Sequence, residues 1–562
     1  MKKFMKKCLP MLALSVVALV GATGCGGTDT PDKPDEPTTT LKDLKATVTW
    51  WNNYKDPVAD GVAEDEARKK SDYTEYYFAK DAITEFNKIY PNITVETTYK
   101  GGYSDIQKAV NTGMNSGDIP SIASGYPDAV AGYVSAGVAL DVGQYFDDAE
   151  LGFGKTIDST GTVIADANTT KADFNQAYLK GEAAQYSDNK HYSMPYSKSG
   201  ETMAINQTLF DKVGAGETGV NSFNYKDPTI PVYEAPVAKD TKKAYATPTS
   251  WTELMATARQ MKIDYPDVFK DNVNSDGLFT AIPVCYDSAE NMYISFSKML
   301  GIPYTASGST VKDQVLFNNA DARKMVVQLK KWNNEGLLAT QNQLYYSNKA
   351  KGYHQYSSTM VTNGKCFVAF SSTAGATYFS DGASFLAKLN ETPVIDKSIY
   401  ETNGTGSTAK STVISQGPSL AFFKKSNADD QKAAWLFYKH LTNTDNAANL
   451  AIAKSYFPLR QSSYSTDKVK TIVDAAGTTT LESSYNDKKV DYTGQVLKLN
   501  ETYSDADRYM STAVFDLSSA CRTAVGNLVK TVFDDKTAKT DAEIATLVDT
   551  AFNDAYKAVV TQ

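Results

Sequence analysis

The sequence predicts an α/β protein of at least two lobes with largely parallel sheets, on three observations. The chain has 562 residues, and single soluble cores stop growing at roughly 250–300. Strand and helix patterns alternate from the first folded segment onward, the order that builds a parallel sheet with helices on its faces. Hydrophobic residues make up 42% and charged residues 22%, too apolar a balance for a disordered chain.

The elements follow in order. Residues 46–51 (ATVTWW) alternate as a strand. Residues 76–90 carry Phe78, Ile83, Phe86 and Ile89 near helical spacing, and Pro91 stops that helix. Residues 93–99 alternate again, and helices are expected near 104–115 and 127–136. Residues 143–190 and 215–247 are polar and turn-rich and read as surface insertions. Between them, 192–206 reads as a strand pair crossing a junction. Helices follow at 250–262, 289–300 and 321–335. In the last, Ala322, Met325, Val326, Leu329 and Trp332 share one face, and Gly336 suits the C-terminal cap. Strands are expected at 365–370 and 411–423. A helix from Ser426 to Leu441 has Asp429 and Asp430 in its first turn and Lys439 and His440 in its last, an order that complements the helix dipole.

The first 24 residues read as a secretory signal. Lys2, Lys3, Lys6 and Lys7 precede an apolar run from Leu9 to Val20 and a small-residue stretch. That run is shorter than the roughly 20 apolar residues a membrane span needs. Gly21-Ala22-Thr23-Gly24-Cys25 resembles a bacterial lipoprotein lipobox, with Ala22 where leucine is commonest. The resemblance implies cleavage before Cys25 and a lipid on its sulfur; the plainer reading is an ordinary signal with a cysteine downstream. Residues 25–44, rich in Thr, Pro and acids, would then be a linker that holds the body off the membrane.

The charge balance excludes a nucleic-acid binder. Lysine and arginine total 57 against 65 acids, a net charge of −8, and removing the signal takes away four lysines and no acid. Cys285, Cys366 and Cys521 are odd in number and lack C-x-x-C spacing, so neither a disulfide framework nor a zinc site is expected. Three histidines are too few for a histidine-rich metal centre. Asn272-Val273-Asn274-Ser275-Asp276-Gly277 mimics the start of a calcium loop, but its twelfth position is Pro283, where a glutamate is needed. No cofactor and no metal are expected. No P-loop, nucleophile elbow or zincin motif is present. With 65 acids, counting leaves a carboxylate pair for glycan hydrolysis open.

From Ala46 onward a series of short segments stands in a set order and spacing. They include Tyr90-Pro91-Asn92-Ile93-Thr94-Val95, Ser116-Gly117-Asp118-Ile119-Pro120, Tyr126-Pro127-Asp128 and Met194-Pro195-Tyr196-Ser197-Lys198-Ser199. Pro248-Thr249-Ser250-Trp251, Gln416-Gly417-Pro418-Ser419 and Ser455-Tyr456-Phe457-Pro458-Leu459-Arg460 follow. In their order and spacing the chain resembles bacterial extracellular solute-binding proteins of family 1, the receptors of ATP-driven (ABC) importers for carbohydrates and related solutes. The resemblance implies a two-lobed, periplasmic-binding-protein-like fold, a hinged trap without catalysis, tethered to the outer face of the cell membrane. Its partners would be a small solute (an oligosaccharide, a sugar or glycerol phosphate) and the permease subunits. The expected parts are lobe 1 at 45–203 and 415–464 and lobe 2 at 204–414 and 465–562, with crossings near 203–205 and 415–419.

Within the family, the chain is most similar to receptors for glycerol 3-phosphate and its diesters. That branch's pocket falls on Tyr103, Ser199, Ser371 or Ser372, Gly417, Tyr456 and Arg522, with Tyr286 near an expected aromatic. Pro127 stands where the branch carries a glutamate, with Asp128 next to it. In this reading Arg522 offers an anion a two-pronged contact, and serine hydroxyls with the Gly417 N–H complete the cradle. Each residue also has a plainer role. Tyr456 and Trp251 suit a core, Ser371 and Ser372 a strand end, Arg522 a surface, and Asp128 a helix cap. Trp50 and Trp51 point to opposite faces by alternation, so one of them, Trp51 in our reading, can stack on a sugar while the other packs inward. A secreted glycan-active hydrolase and a non-catalytic surface adhesin are the alternatives from other classes.

Overall fold

In the computed structural model two five-stranded sheets are joined by short crossing segments. The structure describes residues 40–212, 225–226, 234–235, 245–345, 356–379, 385–401, 411–476, 491–504 and 508–561. The expected signal, Cys25, nearly all of the linker and most of the 215–247 insertion lie outside the described residues.

The first sheet contains β1 (Ala46–Asn52), β2 (Ile93–Tyr99), β3 (Ile122–Gly125) and β4 (Ser193–Pro195). The second contains β5 (Glu201–Asn206), β6 (Ile282–Tyr286), β7 (Leu338–Thr340), β8 (Cys366–Ser372) and β9 (Ala387–Asn390). A short β10 (Val413–Ile414) pairs in parallel with β12 (Tyr509–Met510), and β11 (Ser419–Phe422) returns to the first sheet. The orders are β2-β1-β3-β11-β4 and β7-β6-β8-β5-β9. β1 runs parallel to β2 and β3, and β11 is antiparallel to both β3 and β4. β6 runs parallel to β7 and β8, and β5 is antiparallel to both β8 and β9. Each sheet thus has one reversed strand. In both cases it is the strand the chain enters directly after a crossing.

Both faces of the first sheet are covered, and Trp50 and Trp51 pack on opposite ones. Trp50 is fully buried, donates from Nε1 to Ser124 Oγ at 3.0 Å and meets the rings of Tyr54, Tyr196 and Phe437 edge-on. Phe437 belongs to the helix Ala428–Leu441 and Phe86 of the helix Thr74–Ile89 packs on it. Trp51 turns the other way, into Ile106, Val110 and Ala123. The second sheet carries a stack of aromatic rings: Trp251 lies 4.9 Å from Phe370, which lies 5.0 Å from Tyr286. The helices Ser518–Asp534 and Asp541–Val560 pack against Ala289–Met299 and Ala320–Asn334 on this side.

Local chemistry explains the helix starts. Ser250 and Glu253 form a reciprocal capping box for Trp251–Asp264, and Thr540 and Glu543 do so for Asp541–Val560. The helix expected from Ser426 begins at Ala428, because the side chain of Asn427 accepts the Asp429 N–H at 3.0 Å and makes Asn427 the cap.

Several expectations are corrected. The chain changes sheets at 196–200, and residues 203–205 are already paired inside β5. The single strand expected over 411–423 is broken, since Gly417 turns the backbone at φ +83°. The 143–190 insertion is not only surface: the helix Gln176–Ala184 buries Tyr178, Leu179 and Glu182. The helix Asp467–Asp474 packs with Ala448, Ala451 and Ile452 of Thr444–Lys454. The calcium-like segment, by contrast, is a tight turn as its sequence suggested: Asn274 Oδ1 accepts the N–H groups of Asp276 and Leu278 at 3.0 and 2.9 Å. Cys285, Cys366 and Cys521 are free and buried. Among the described residues no helix is long and apolar enough to cross a membrane.

Candidate functional site

Parallel strands deliver their following loops to one edge of a sheet, and ligands in such folds bind outside that edge. Here β3 delivers Tyr126, Pro127 and Asp128 to the helix Pro127–Ser135, and β6 delivers Ser288 and Asn291 to the helix Ala289–Met299. These two helix starts, one from each sheet, line the same cavity of about 240 Å³ together with Gln416, Gly417 and Arg522. The floor is the crossing. Ser199 and Gln416 exchange backbone hydrogen bonds at 3.0 and 2.9 Å, and Ser197 N–H donates to Pro418 O at 3.1 Å.

The crossing has a buried charged anchor. Lys198 Nζ lies 3.1 Å from Glu182 Oε2 and donates to Ser419 Oγ at 2.8 Å. Ser193 Oγ donates to the other Glu182 oxygen. Lys198 and Glu182 are both 2% exposed.

Polar groups converge on the cavity. Arg522 donates from Nη2 to Asn291 Oδ1. Burial raises the Asp128 carboxyl above its usual range, with the positive charge of Arg522 opposing. Glu290 also lines the space. Tyr126, 40% exposed, lines the cavity, and the Tyr103 ring meets it edge-on at 5.2 Å. Burial pushes the hydroxyls of Tyr103, Tyr456 and Tyr54 well up, with Tyr103 adding to the rise at each of the other two. These phenols form a neutral, hydrogen-bonding edge to the first lobe. A second cavity of about 640 Å³ opens where β1 and β2 end, lined by Asn52, Tyr54, Asp56, Asp60, Tyr76 and Tyr99.

Of the residues expected from sequence, Asp128, Gly417 and Arg522 line the cavity between the sheets. Tyr103 stands beside it through Tyr126, and Tyr456 is buried, with Tyr103 and Tyr126 adding to the rise of its hydroxyl. Ser199 is built into the crossing, 3.4 Å from Ser372 Oγ. Ser371 is paired with Thr202 in the second sheet and buried. Two residues fall elsewhere. Tyr286 is a core ring whose hydroxyl donates to Glu201 at 2.6 Å. Trp51 is buried beneath Lys100, whose ammonium lies 4.2 Å from the ring centroid. Sequence reasoning did not single out Glu290, Asn291 or Gln416. The signal for the first two was present: Ser288, three residues before Asn291, is a cap directly after an apolar strand.

A family model described as bacterial extracellular solute-binding protein matches residues 81–477. No curated protein matches the sequence. Among solved structures, the chain is similar to the cyclic α-maltosyl-1,6-maltose binding protein of Arthrobacter globiformis, with a TM-score of 0.54 and 14% identity over 92% of this chain and 98% of that one. It is similar to UgpB of Mycobacterium tuberculosis in complex with glycerophosphocholine, with a TM-score of 0.56 and 13% identity over 91% and 99%. It is also similar to Lmo0181 of Listeria monocytogenes in complex with cycloalternan, with a TM-score of 0.54 and 13% identity over 91% and 98%. At these identities the likeness establishes the fold, two α/β lobes. With the family match spanning most of the chain, the protein belongs to the bacterial extracellular solute-binding proteins.

Proposed function

We propose that this protein is a lipid-anchored receptor that captures an oligosaccharide between its lobes and hands it to the permease of an ATP-driven importer. The observation that carries the reading is the cavity built jointly by the loops after β3 and β6 and floored by the crossing segments. A ligand touching both loops at once favours the closed arrangement of the lobes, and segments 196–200 and 413–418 would absorb the motion.

Charge chooses between ligand classes. Arg522 shares its cavity with two carboxylates, Asp128 and Glu290, and Lys198 is committed to Glu182. Carboxylates that accept and a guanidinium that donates suit the hydroxyls of an uncharged sugar. The second cavity, with its tyrosines and aspartates on the same sheet edge, would accommodate further sugar units. A glycerol phosphate diester is the second reading, favoured by Arg522 and by the glycerophosphocholine held by the mycobacterial neighbour.

A thermal-shift panel of mono- and oligosaccharides, glycerol 3-phosphate and glycerophosphocholine tests this. A ligand at 100 times its Kd adds about 2.7 kcal/mol of stability. No shift across the panel would favour the adhesin, and turnover of a stabilising glycan would favour the hydrolase. Arg522→Ala is expected to weaken the stabilising ligand by about 1.5–3 kcal/mol, the range for a hydrogen bond to a charged group; unchanged affinity in calorimetry would remove Arg522 from the site. Cys25→Ser should move the protein from the membrane fraction to the soluble one. Retention in the membrane would defeat the lipid-anchor reading.

A further inference from the structure

Glu201 opens β5 directly after the crossing and is only 2% exposed. Its carboxylate accepts the Tyr286 hydroxyl at 2.6 Å and the Ser295 hydroxyl at 3.4 Å, and the side chain of Asn291 lies near enough to draw its carboxyl down. Asn291 is buried, lines the cavity between the lobes, and accepts from Arg522 through Oδ1. One amide therefore lies between a carboxylate and a guanidinium, with its oxygen turned to the guanidinium. We infer that Glu201 is a positioning residue of the cleft: through Asn291 it holds the Arg522 guanidinium at the cavity wall, more firmly when ionised than when protonated.

The physical reason lies in the two ends of the amide. An ionised Glu201 only accepts, so it draws the Asn291 N–H group and leaves Oδ1 turned to Arg522. Its negative charge also attracts the guanidinium. A protonated Glu201 loses that charge and gains an O–H that competes for Asn291 Oδ1. Burial pushes the Glu201 carboxyl up to about 7, with Tyr286, Asn291, Arg522 and Ser295 drawing it back. The guanidinium is accordingly held above pH 7 and released below it. Other groups lie around Arg522 as well: Asp128 from the helix Pro127–Ser135, with its own carboxyl raised by burial, Glu290 in the same cavity, and the phenols of Tyr126 and Tyr304, raised by burial and neutral throughout. Replacing Glu201 alone separates its contribution from theirs.

Only the use made of the held guanidinium rests on the receptor reading, so the test has two arms. The chain has six arginines, and protein labelled with ¹⁵N-arginine gives guanidinium signals of which Arg522 is identified by its loss in Arg522→Lys. In the wild type the Arg522 signal should shift with a midpoint near pH 7. In Glu201→Gln that step should vanish while any lower step from Asp128 remains. Asn291→Ala, which cuts the relay and leaves Glu201 in place, should abolish the same step. A step that survives both substitutions, or a wild-type signal flat from pH 6 to 8, overturns the inference. In the second arm, calorimetry with maltotriose should give about threefold to tenfold tighter binding at pH 8 than at pH 6 in the wild type and no such difference in Glu201→Gln. Equal pH dependence in both proteins would also overturn it. Failure of maltotriose to bind either protein counts against the receptor reading for that sugar, and the guanidinium titration then decides the inference.

Discussion

Gly417→Ala is expected to destabilise the protein by about 3–5 kcal/mol and to remove its response to ligand, because two independent penalties fall on the same atom. The residue sits at φ +83°, a region that costs a residue with a Cβ about 1–2 kcal/mol. A Cβ there would also lie 1.7 Å from Ser197 O and 2.8 Å from the Ser197 carbonyl carbon. Neither is the end of a flexible side chain, so the two crossing segments have to part. Parting them stretches the Ser199–Gln416 pair and the Ser197–Pro418 bond, each contributing about 0.5–1.5 kcal/mol net. Gly132→Ala is the control: it lies inside the helix Pro127–Ser135 with nothing within 4 Å of the added carbon, and is expected to stabilise by about 0.5–1 kcal/mol. Urea unfolding of the two variants, each with and without the stabilising ligand, separates these outcomes. Equal midpoints would show that the crossing tolerates the displacement.

The uneven legibility of the sequence has a physical basis. Strands β1 and β2 were readable to within a residue because alternation is a local property, and Trp50 and Trp51 had to face apart. What alternation cannot say is which face meets solvent. Both faces of β1 are covered, one by Phe437 and one by Ile106, and so Trp51 turned out to be packed beneath Lys100. Tyr286 was misplaced for a related reason: its hydroxyl partner, Glu201, lies 85 residues away in sequence, and a buried tyrosine with a distant acceptor looks like a wet one until the sheet is assembled. The crossing lies at 196–200, earlier than expected, because its polar run Ser197, Lys198 and Ser199 is buried rather than exposed as a loop, and no local pattern carries that fact. Asp128, Gly417 and Arg522 share a cavity, yet nothing local joins them. The resemblance located them, and only the topology brings them together.

Lys198→Met should produce the other large loss, about 3–5 kcal/mol, by stranding a buried carboxylate. Lys198 crosses from one sheet to the other, and its ammonium is held by Glu182 from the helix Gln176–Ala184 and by Ser419 at the start of β11. It therefore ties both crossing segments to a helix of the first lobe. With the ammonium gone, Glu182 keeps the hydroxyl of Ser193, which Tyr186 also meets at 2.6 Å, but no cation. A single hydroxyl does not offset the loss of solvent around a charge with 2% exposure. Removing both charges is a different case. In the double variant Lys198→Met with Glu182→Leu no charge is left unpaired, and replacing a buried pair by apolar groups of similar volume is often neutral or stabilising. The double variant is accordingly expected to recover more than half of the loss, and the non-additivity of the cycle measures the coupling. If the two single losses simply add, the pair is not a unit and the crossing is held by its backbone bonds alone. If the double variant recovers stability but binds its ligand more weakly, the ion pair serves the geometry of the crossing rather than the stability of the fold.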